Sequence, residues 1–274
     1  PITYIRHKFS GEDDFQYTLY SNPELYSYPS RKMRKSPAHN GLFMDNENLN
    51  TVRIDTNYGM GTGFIVSSHV IATAAHMVCK NDNGFKFVES INLTIYDANG
   101  IGGDVIGSFS VANNNIKSVH IPKNYKTNLM KGKALQDSYD YALIYVEDDL
   151  TQYGIWSLGC ITDEFKTTNS NVIVSGFTNA NCTKPYERYY STGSVVDYEQ
   201  SSSLHNLKPL RMETTAYSTP GMSGGPVYYE TNYFGNTVKS VVGVNTGGVG
   251  NHCEWCCRFT PTLLHFFLDN GKLI

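Results

Sequence analysis

From Thr51 onward the sequence is a succession of short strand-like segments, each ended by turn residues. "TVRIDT", "GTGFIVSS" and "HVIATAA" come first. "FKFVESINLTIYD", "DVIGSFSVA", "KSVHI" and "YDYALIYVE" follow. Asp82-Asn83-Gly84, Asn99-Gly100 and Gly102-Gly103 lie between them, and such clusters supply the backbone freedom that tight turns require. A second set reads "NVIVSGF", "TGSVVDYE", "LKPLRMETT", "GPVYYE" and "VKSVVGVN". Only "PTLLHFFLDNG", residues 261–271, has helix punctuation, with Pro in its first turn and Gly271 at its end. Two successive groups of about six short strands predict an all-β chain of two packed six-stranded antiparallel β-barrels with a C-terminal helix.

The split falls in "EDDLTQYGIWS", residues 147–157, giving a first barrel over 51–150 and a second barrel with the terminal helix over 151–274. Residues 1–50 differ from the remainder. They lack sustained periodicity and contain the basic run "RKMRKS", Arg31 to Ser36. That stretch reads either as an extended surface arm or as a pro-segment with a cleavable junction.

Composition narrows the function classes. A formal charge of −3 shows no basic excess, so nothing in the bulk balance calls for nucleic acid. No run approaches the ~18 apolar residues of a membrane span. The six cysteines are too few for a disulfide scaffold. Three of them lie in "HCEWCC", where Cys253, Cys256 and His252 are conceivable zinc ligands. Structural zinc usually takes two separated ligand pairs and no second CxxC is present, so no metal or cofactor is expected. The chain opens at Pro1 without Met, which suggests a processed form; we expect an exported monomer.

One segment is out of keeping with strand formation. In "TPGMSGGPVYY", Ser223 stands among Gly221, Gly224 and Gly225, and glycine at that density weakens a strand. A serine hydroxyl is a poor nucleophile unless a base takes its proton and a third group orients that base. It also needs backbone N–H groups aimed at the oxygen that becomes negative, and glycine exposes them well. Gly221 can turn its N–H inward, while Gly224 and Gly225 let the chain leave without a Cβ in the way.

His76 in "VIATAAHMV" is the candidate base, since small residues before it let the imidazole sit at a strand end against a cleft. A lone histidine is more often a core residue bonded to the backbone. Asp140 in "DSYDYALIYV" is the candidate orienting acid at the mouth of an apolar strand, with Asp137 as its rival in the same loop. One barrel would supply His76 and Asp140 and the other Ser223.

At these residues the chain resembles a family. "ATAAH", "DYAL" and "GMSGGPV" are similar to the three catalytic motifs of the chymotrypsin-fold serine proteases, and "GTGFIVSSHVIATAAH" resembles the strand pair leading to their histidine. The branch it resembles most is the secreted glutamyl-endopeptidase-like proteases, with their "TxGxSGxPV" and "VxGxxxGG" stretches. The resemblance implies a serine endopeptidase with His76 as general base, Asp140 as its orienter and Ser223 as nucleophile. It implies an oxyanion hole from the N–H groups of Gly221 and Ser223. It also implies a peptide-binding edge at Thr246, Gly247 and Gly248.

There are departures from the family pattern. Digestive trypsin-like members carry aspartate before the serine, where this chain has Met222, so activation through a buried ion pair to a new N-terminus is not expected. Ser218 and Asn245 would wall the pocket for the residue before the cut bond (P1), with Tyr217 near its base. None of these is a carboxylate, so Lys and Arg at P1 would enter without a counter-charge. Glutamyl endopeptidases have histidine at the position matching Asn245, so a polar P1 is expected, with Glu, Gln and Asp ahead of Lys and Arg and with less discrimination between Glu and Gln than the family shows. The alternative function is a catalytically silent peptide-binding module on the same fold.

Overall fold

The computed structural model describes residues 3–7, 16–20, 42–45, 47–81, 84–97, 103–112, 118–128, 139–159, 171–179, 184, 186–199, 211–247, 255–260 and 263–267. A hairpin of β1 (Thr3–His7) and β2 (Gln16–Tyr20) comes first, followed by the short β3 (Phe43–Met44). Next come β4 (Thr51–Thr56), β5 (Gly59–Ser67), β6 (Val70–Thr73) and the helical turn α1 (Ala75–Val78). The small ribbon β7 (Cys79–Asn81) and β8 (Phe85–Phe87) precedes β9 (Ser90–Tyr96), β10 (Val105–Ala112) and β11 (Val119–His120). After α2 (Lys123–Asn128), β12 (Ala142–Tyr145) ends the first half. The second half holds β13 (Ser157–Leu158), β14 (Asn171–Phe177), β15 (Arg188–Glu199), β16 (Arg211–Thr214), β17 (Pro226–Tyr233), β18 (Asn236–Gly247) and β19 (Trp255–Arg258).

The first sheet runs β10-β9-β4-β5-β6-β12-β11. Its inner face follows from alternation: in β9, Ile91, Leu93 and Ile95 are buried while Asn92 faces out. The second sheet closes, because β18 pairs with β17 and β19 at opposite ends of the path β18-β17-β14-β15-β16-β19. That is a closed six-stranded barrel, with β13 added in parallel beside β18. A two-residue turn joins β17 to β18, with Phe234 at φ 48 and Gly235 at φ 81, both in the left-handed region that this tight hairpin demands.

The double-barrel architecture expected from the strand pattern is present, and two details depart from it. Among the described residues the first sheet has seven strands, and no ladder joins β10 to β11. "FKFVESINLTIYD" is two strands, because the Val88 N–H donates to the Val78 carbonyl at 3.0 Å and the Glu89 N–H to Asn57 Oδ1 at 2.9 Å. Those bonds draw the chain off the ladder between β8 and β9.

Two apolar clusters fill the structure. Ile54, Phe64, Ile71, Leu93 and Leu143 anchor the first, and Val172, Val174, Met212, Met222 and Val242 belong to the second. Residues 263–267 form the described part of the expected C-terminal helix. Thr260 caps it, its Oγ1 accepting the Leu263 N–H at 3.3 Å and its carbonyl the Leu264 N–H at 2.9 Å. The helix packs on the first cluster. Phe267 is fully buried and its ring lies 6.2 Å from that of Tyr141, with Phe266 at 5.2 Å. Burial of a phenyl ring of this kind contributes roughly 2–3 kcal/mol. This helix thereby braces the strand entry next to Asp140.

Residues 42–50 dock on the second barrel before the chain enters the first. Phe43 and Met44 pair with Tyr190 and Tyr189 of β15. The buried Asp45 carboxylate accepts from the Ser175 hydroxyl at 2.6 Å and from Asn48 Nδ2 at 2.7 Å. The basic run Arg31 to Lys35 lies outside the described residues, as do His252 and Cys253; Cys256 is buried in β19. Among the described residues no helix is long and apolar enough to cross a membrane, and no cluster of three metal-ligating side chains occurs.

Candidate active site

The ladder between β6 and β12 puts His76 and Asp140 at one end of the first sheet. Thr73 is in register with Ala142, and the two strands are antiparallel. His76 follows the first and Asp140 precedes the second, so both emerge at the same edge. Between Thr73 and His76, Ala74 is extended and Ala75 begins the single turn of α1, which swings the imidazole out of the core. Asp140 Oδ2 then lies 2.6 Å from His76 Nδ1, and Oδ1 accepts the His76 backbone N–H at 2.8 Å. The carboxylate is nearly inaccessible, with 4% of its side chain exposed, whereas the imidazole is 37% exposed. Asp137 lies outside the described residues.

Ser223 sits in a tight double turn. The Met222 N–H donates to the Thr219 carbonyl at 3.0 Å, and the Gly225 N–H to the Met222 carbonyl at 3.1 Å. Gly221 and Gly224 adopt φ of +101 and +85, conformations that L side chains rarely enter. Two bonds to β18 tie down the exit: the Gly224 N–H donates to the Asn245 carbonyl at 2.6 Å and the Asn245 N–H to Gly225 O at 2.9 Å.

The same turn is pressed against the first barrel. Thr62 N–H donates to the Ser223 carbonyl at 2.8 Å. A Cβ on Gly224 would come within 3.0 Å of the Ala74 nitrogen and 2.1 Å of Thr73 Oγ1. Ser223 is therefore held beside the segment that carries His76. Among the described residues, neither the Gly221 nor the Ser223 backbone N–H donates a hydrogen bond within the fold. Unpaired donors at a turn of this kind are what an oxyanion would need.

The residues expected to wall a pocket are arranged in two layers. Tyr217 is half-buried, its N–H donating to Ser191 Oγ at 2.8 Å. Ser218 is buried, and Asn245 behind it has no accessible surface at all. Asn245 Nδ2 donates to Ser218 Oγ at 2.8 Å and to the Met222 carbonyl at 3.1 Å. Its amide nitrogen thus supports the wall from behind and does not end at the surface. β17 begins at Pro226, opposite Val244, so Thr246 and Gly247 of the antiparallel β18 run past that end of the ladder and are half-buried. Gly248 lies outside the described residues.

One neighbour of the site carries a strong perturbation. Burial, and next the charge of Asp140, push the Cys79 thiol up to about 12, and its Sγ donates to the Ala75 carbonyl at 3.0 Å. Burial likewise raises the Tyr141 phenol. Sequence reasoning missed Thr62, although the alternation "GTGF" was its signal: glycine on either side lets a backbone approach closely.

A family model described as a trypsin-like peptidase domain matches residues 61–234. No curated protein matches by sequence. Among solved structures, a Glu endopeptidase in complex with MPD is 17% identical, with a TM-score of 0.61 over 86% of this chain and 98% of that one. The protease Anisep from Arthrobacter nicotinovorans is 14% identical, with a TM-score of 0.62 over 84% of this chain and 99% of that one. At these identities the two structures speak for the chymotrypsin-like double-barrel fold alone. The family model covers more than half of the sequence, and the chain belongs to the trypsin-like peptidase domain family.

Proposed function

We propose that this chain is a serine endopeptidase working through His76, Asp140 and Ser223. The observation that carries the reading is the two-point hold of Asp140 on His76, at 2.6 and 2.8 Å, beside a serine turn with two N–H groups that meet no acceptor among the described residues. The Ser223 oxygen attacks the scissile carbonyl while its proton passes to His76 Nε2. Asp140, on Nδ1, fixes the tautomer and stabilises the imidazolium that forms. The carbonyl oxygen becomes negative between the Gly221 and Ser223 N–H groups. Collapse breaks the C–N bond, His76 returns the proton to the leaving amine, and an acyl-enzyme remains on Ser223. Water, deprotonated by His76, then releases the acid and restores the serine.

An extended peptide would lie along Thr246 and Gly247 and continue towards Gly248. The P1 side chain would meet Ser218, and neither Ser218 nor its neighbours Tyr217 and Asn245 is a charged residue. A polar P1 follows, with Glu, Gln and Asp ahead of Lys and Arg. Secretion, and removal of a leading segment at Arg31 to Lys35, belong to the same proposal and rest on the sequence alone. Cleavage of a peptide library read by mass spectrometry tests it. Cuts after polar residues that disappear in Ser223→Ala support the reading; a preference for Arg or Lys overturns the pocket assignment.

A further inference from the structure

We propose that Thr62 is a positioning residue for the oxyanion turn, reaching from the first barrel to fix a peptide that belongs to the second; this rests on the peptidase reading above. Thr62 is fully buried in β5 and all its polar atoms are engaged. Its N–H donates to the Ser223 carbonyl at 2.8 Å, and its carbonyl accepts from Thr73 Oγ1 at 2.7 Å. Its hydroxyl donates to the Gly221 carbonyl at 2.8 Å and accepts the Phe177 N–H at 2.9 Å.

The cradle around this side chain is built from glycines. A Cβ on Gly176 would lie 2.8 Å from Thr62 Oγ1, and one on Gly225 would lie 3.3 Å from its Cγ2. On Gly61 a Cβ would lie 3.1 Å from the Ser223 carbonyl. Glycine is therefore required on both sides of the contact for the barrels to come this close.

Peptide planarity turns these contacts into an orienting device. In a trans peptide the C=O and N–H point opposite ways, so pinning a carbonyl aims the N–H of the next residue. The Pro220 carbonyl is pinned by the Asn179 N–H at 3.0 Å, which turns the Gly221 N–H away from Asn179. The Met222 carbonyl is pinned by Asn245 Nδ2 at 3.1 Å, which aims the Ser223 N–H. Between these two planes lies the Gly221–Met222 peptide, whose carbonyl is held by Thr62. Gly221, at φ +101, has no side chain to oppose rotation of this peptide. Without the hydroxyl, its buried carbonyl has lost its donor, and so has the Phe177 N–H its acceptor. The turn then relaxes towards other partners, and both oxyanion donors lose their direction.

The test compares Thr62→Val, Thr62→Ser and Thr62→Cys with wild type. Each is measured for kcat, KM and Tm, and for affinity towards a peptide boronate, whose tetrahedral adduct fills the oxyanion hole, and towards the product peptide acid. Removing an oxyanion donor outright costs about 10²–10³ in kcat, so disordering two donors is expected to cost on the order of 10–100-fold in Thr62→Val. KM should stay within about twofold, because the lost interaction acts on the transition state. Boronate affinity should fall with kcat while product affinity holds, a split that general loosening would not produce. Thr62→Ser should return within about threefold of wild type. Thr62→Cys, with a weak thiol donor, should fall between the two and covers the case in which the valine variant does not fold. Valine or cysteine variants as active as the serine one overturn the proposal, as does a kcat loss without loss of boronate affinity. If wild type takes no fluorophosphonate label at Ser223, the peptidase reading fails and this inference with it; a labelled wild type with unaffected variants removes Thr62 alone.

Discussion

Asp140 grips His76 at two points, Oδ2 lying 2.6 Å from the ring Nδ1 and Oδ1 accepting the backbone N–H at 2.8 Å. Asp140→Asn has one oxygen to offer where the carboxylate has two. If the oxygen stays on the His76 backbone N–H, the amide NH₂ faces Nδ1 and forces the proton onto Nε2, the nitrogen that acts as base in the proposed mechanism. We expect kcat to fall by roughly 10⁴ with the fold intact. Steady-state kinetics beside a thermal melt check this; a loss below about tenfold would remove Asp140 from the orienting role.

Gly224 and Gly235 both have positive φ, but their surroundings differ. A Cβ on Gly224 would lie 2.1 Å from Thr73 Oγ1 and 2.2 Å from the Thr62 carbonyl, whereas Gly235 has nothing within 4 Å. Gly224→Ala should therefore destabilise by about 2–4 kcal/mol and abolish activity, since the barrels must part to admit the methyl group. Gly235→Ala should cost about 1 kcal/mol and leave activity unchanged. Urea unfolding of both variants decides whether contact, and not backbone conformation alone, explains Gly224.

Cys79 should give an alkaline stability signature. Its thiol is pushed up to about 12 in the fold, against an ordinary value of 9.0. Above pH 9 the unfolded chain releases this proton before the folded chain does, so the stability is complete below that point and is lost as pH rises towards 12. In urea titrations from about pH 8 to about pH 11, wild type should lose more stability than Cys79→Ala. Parallel curves would contradict the assignment. Native Cys79 should also resist alkylation at neutral pH, because the thiolate is the reactive form.

Asn245 and Ser218 should respond differently to substitution. Ser218→Ala removes a hydroxyl from the proposed pocket wall and should lower the preference for Glu and Gln over Ala at P1, with little change in kcat for an Ala substrate. Asn245→Leu leaves both Ser218 Oγ and the Met222 carbonyl without the amide donor, so it should lower kcat on every substrate, by about tenfold or more. P1-varied substrates measured with each variant separate the two roles. A selectivity change in Asn245→Leu without a common loss would put its amide at the pocket surface.

Much of this was readable in the sequence. Turn clusters and alternating segments marked β4 to β6, β8 to β12 and β14 to β18, whereas β1, β2, β3, β7, β13 and the barrel-closing β19 carried no such signal; His76, Asp140 and Ser223 stood out because their flanking residues suit strand ends and tight turns. The cross-barrel contacts were not readable. Thr62 looks like any strand threonine until β5 meets the Ser223 turn, more than 150 residues away in the chain. Asn245 could be placed near the pocket by counting, but its burial depends on how β18 lies behind Ser218. The docking of Asp45 on Ser175 and the helix on Tyr141 are likewise matters of tertiary packing, and local propensity is silent on both.

The central claim is that Ser223 is a nucleophile activated by His76. Its most direct test is stoichiometric reaction with a fluorophosphonate, followed by mass spectrometry of the labelled peptide. The account predicts close to one label per chain, located on Ser223, and loss of labelling in Ser223→Ala. His76→Ala should label far more slowly, in keeping with a loss on the order of 10⁶ in kcat for removing either member of such a unit. A folded wild-type chain that takes no label, or takes it on a residue other than Ser223, would contradict the account and favour a silent peptide-binding module.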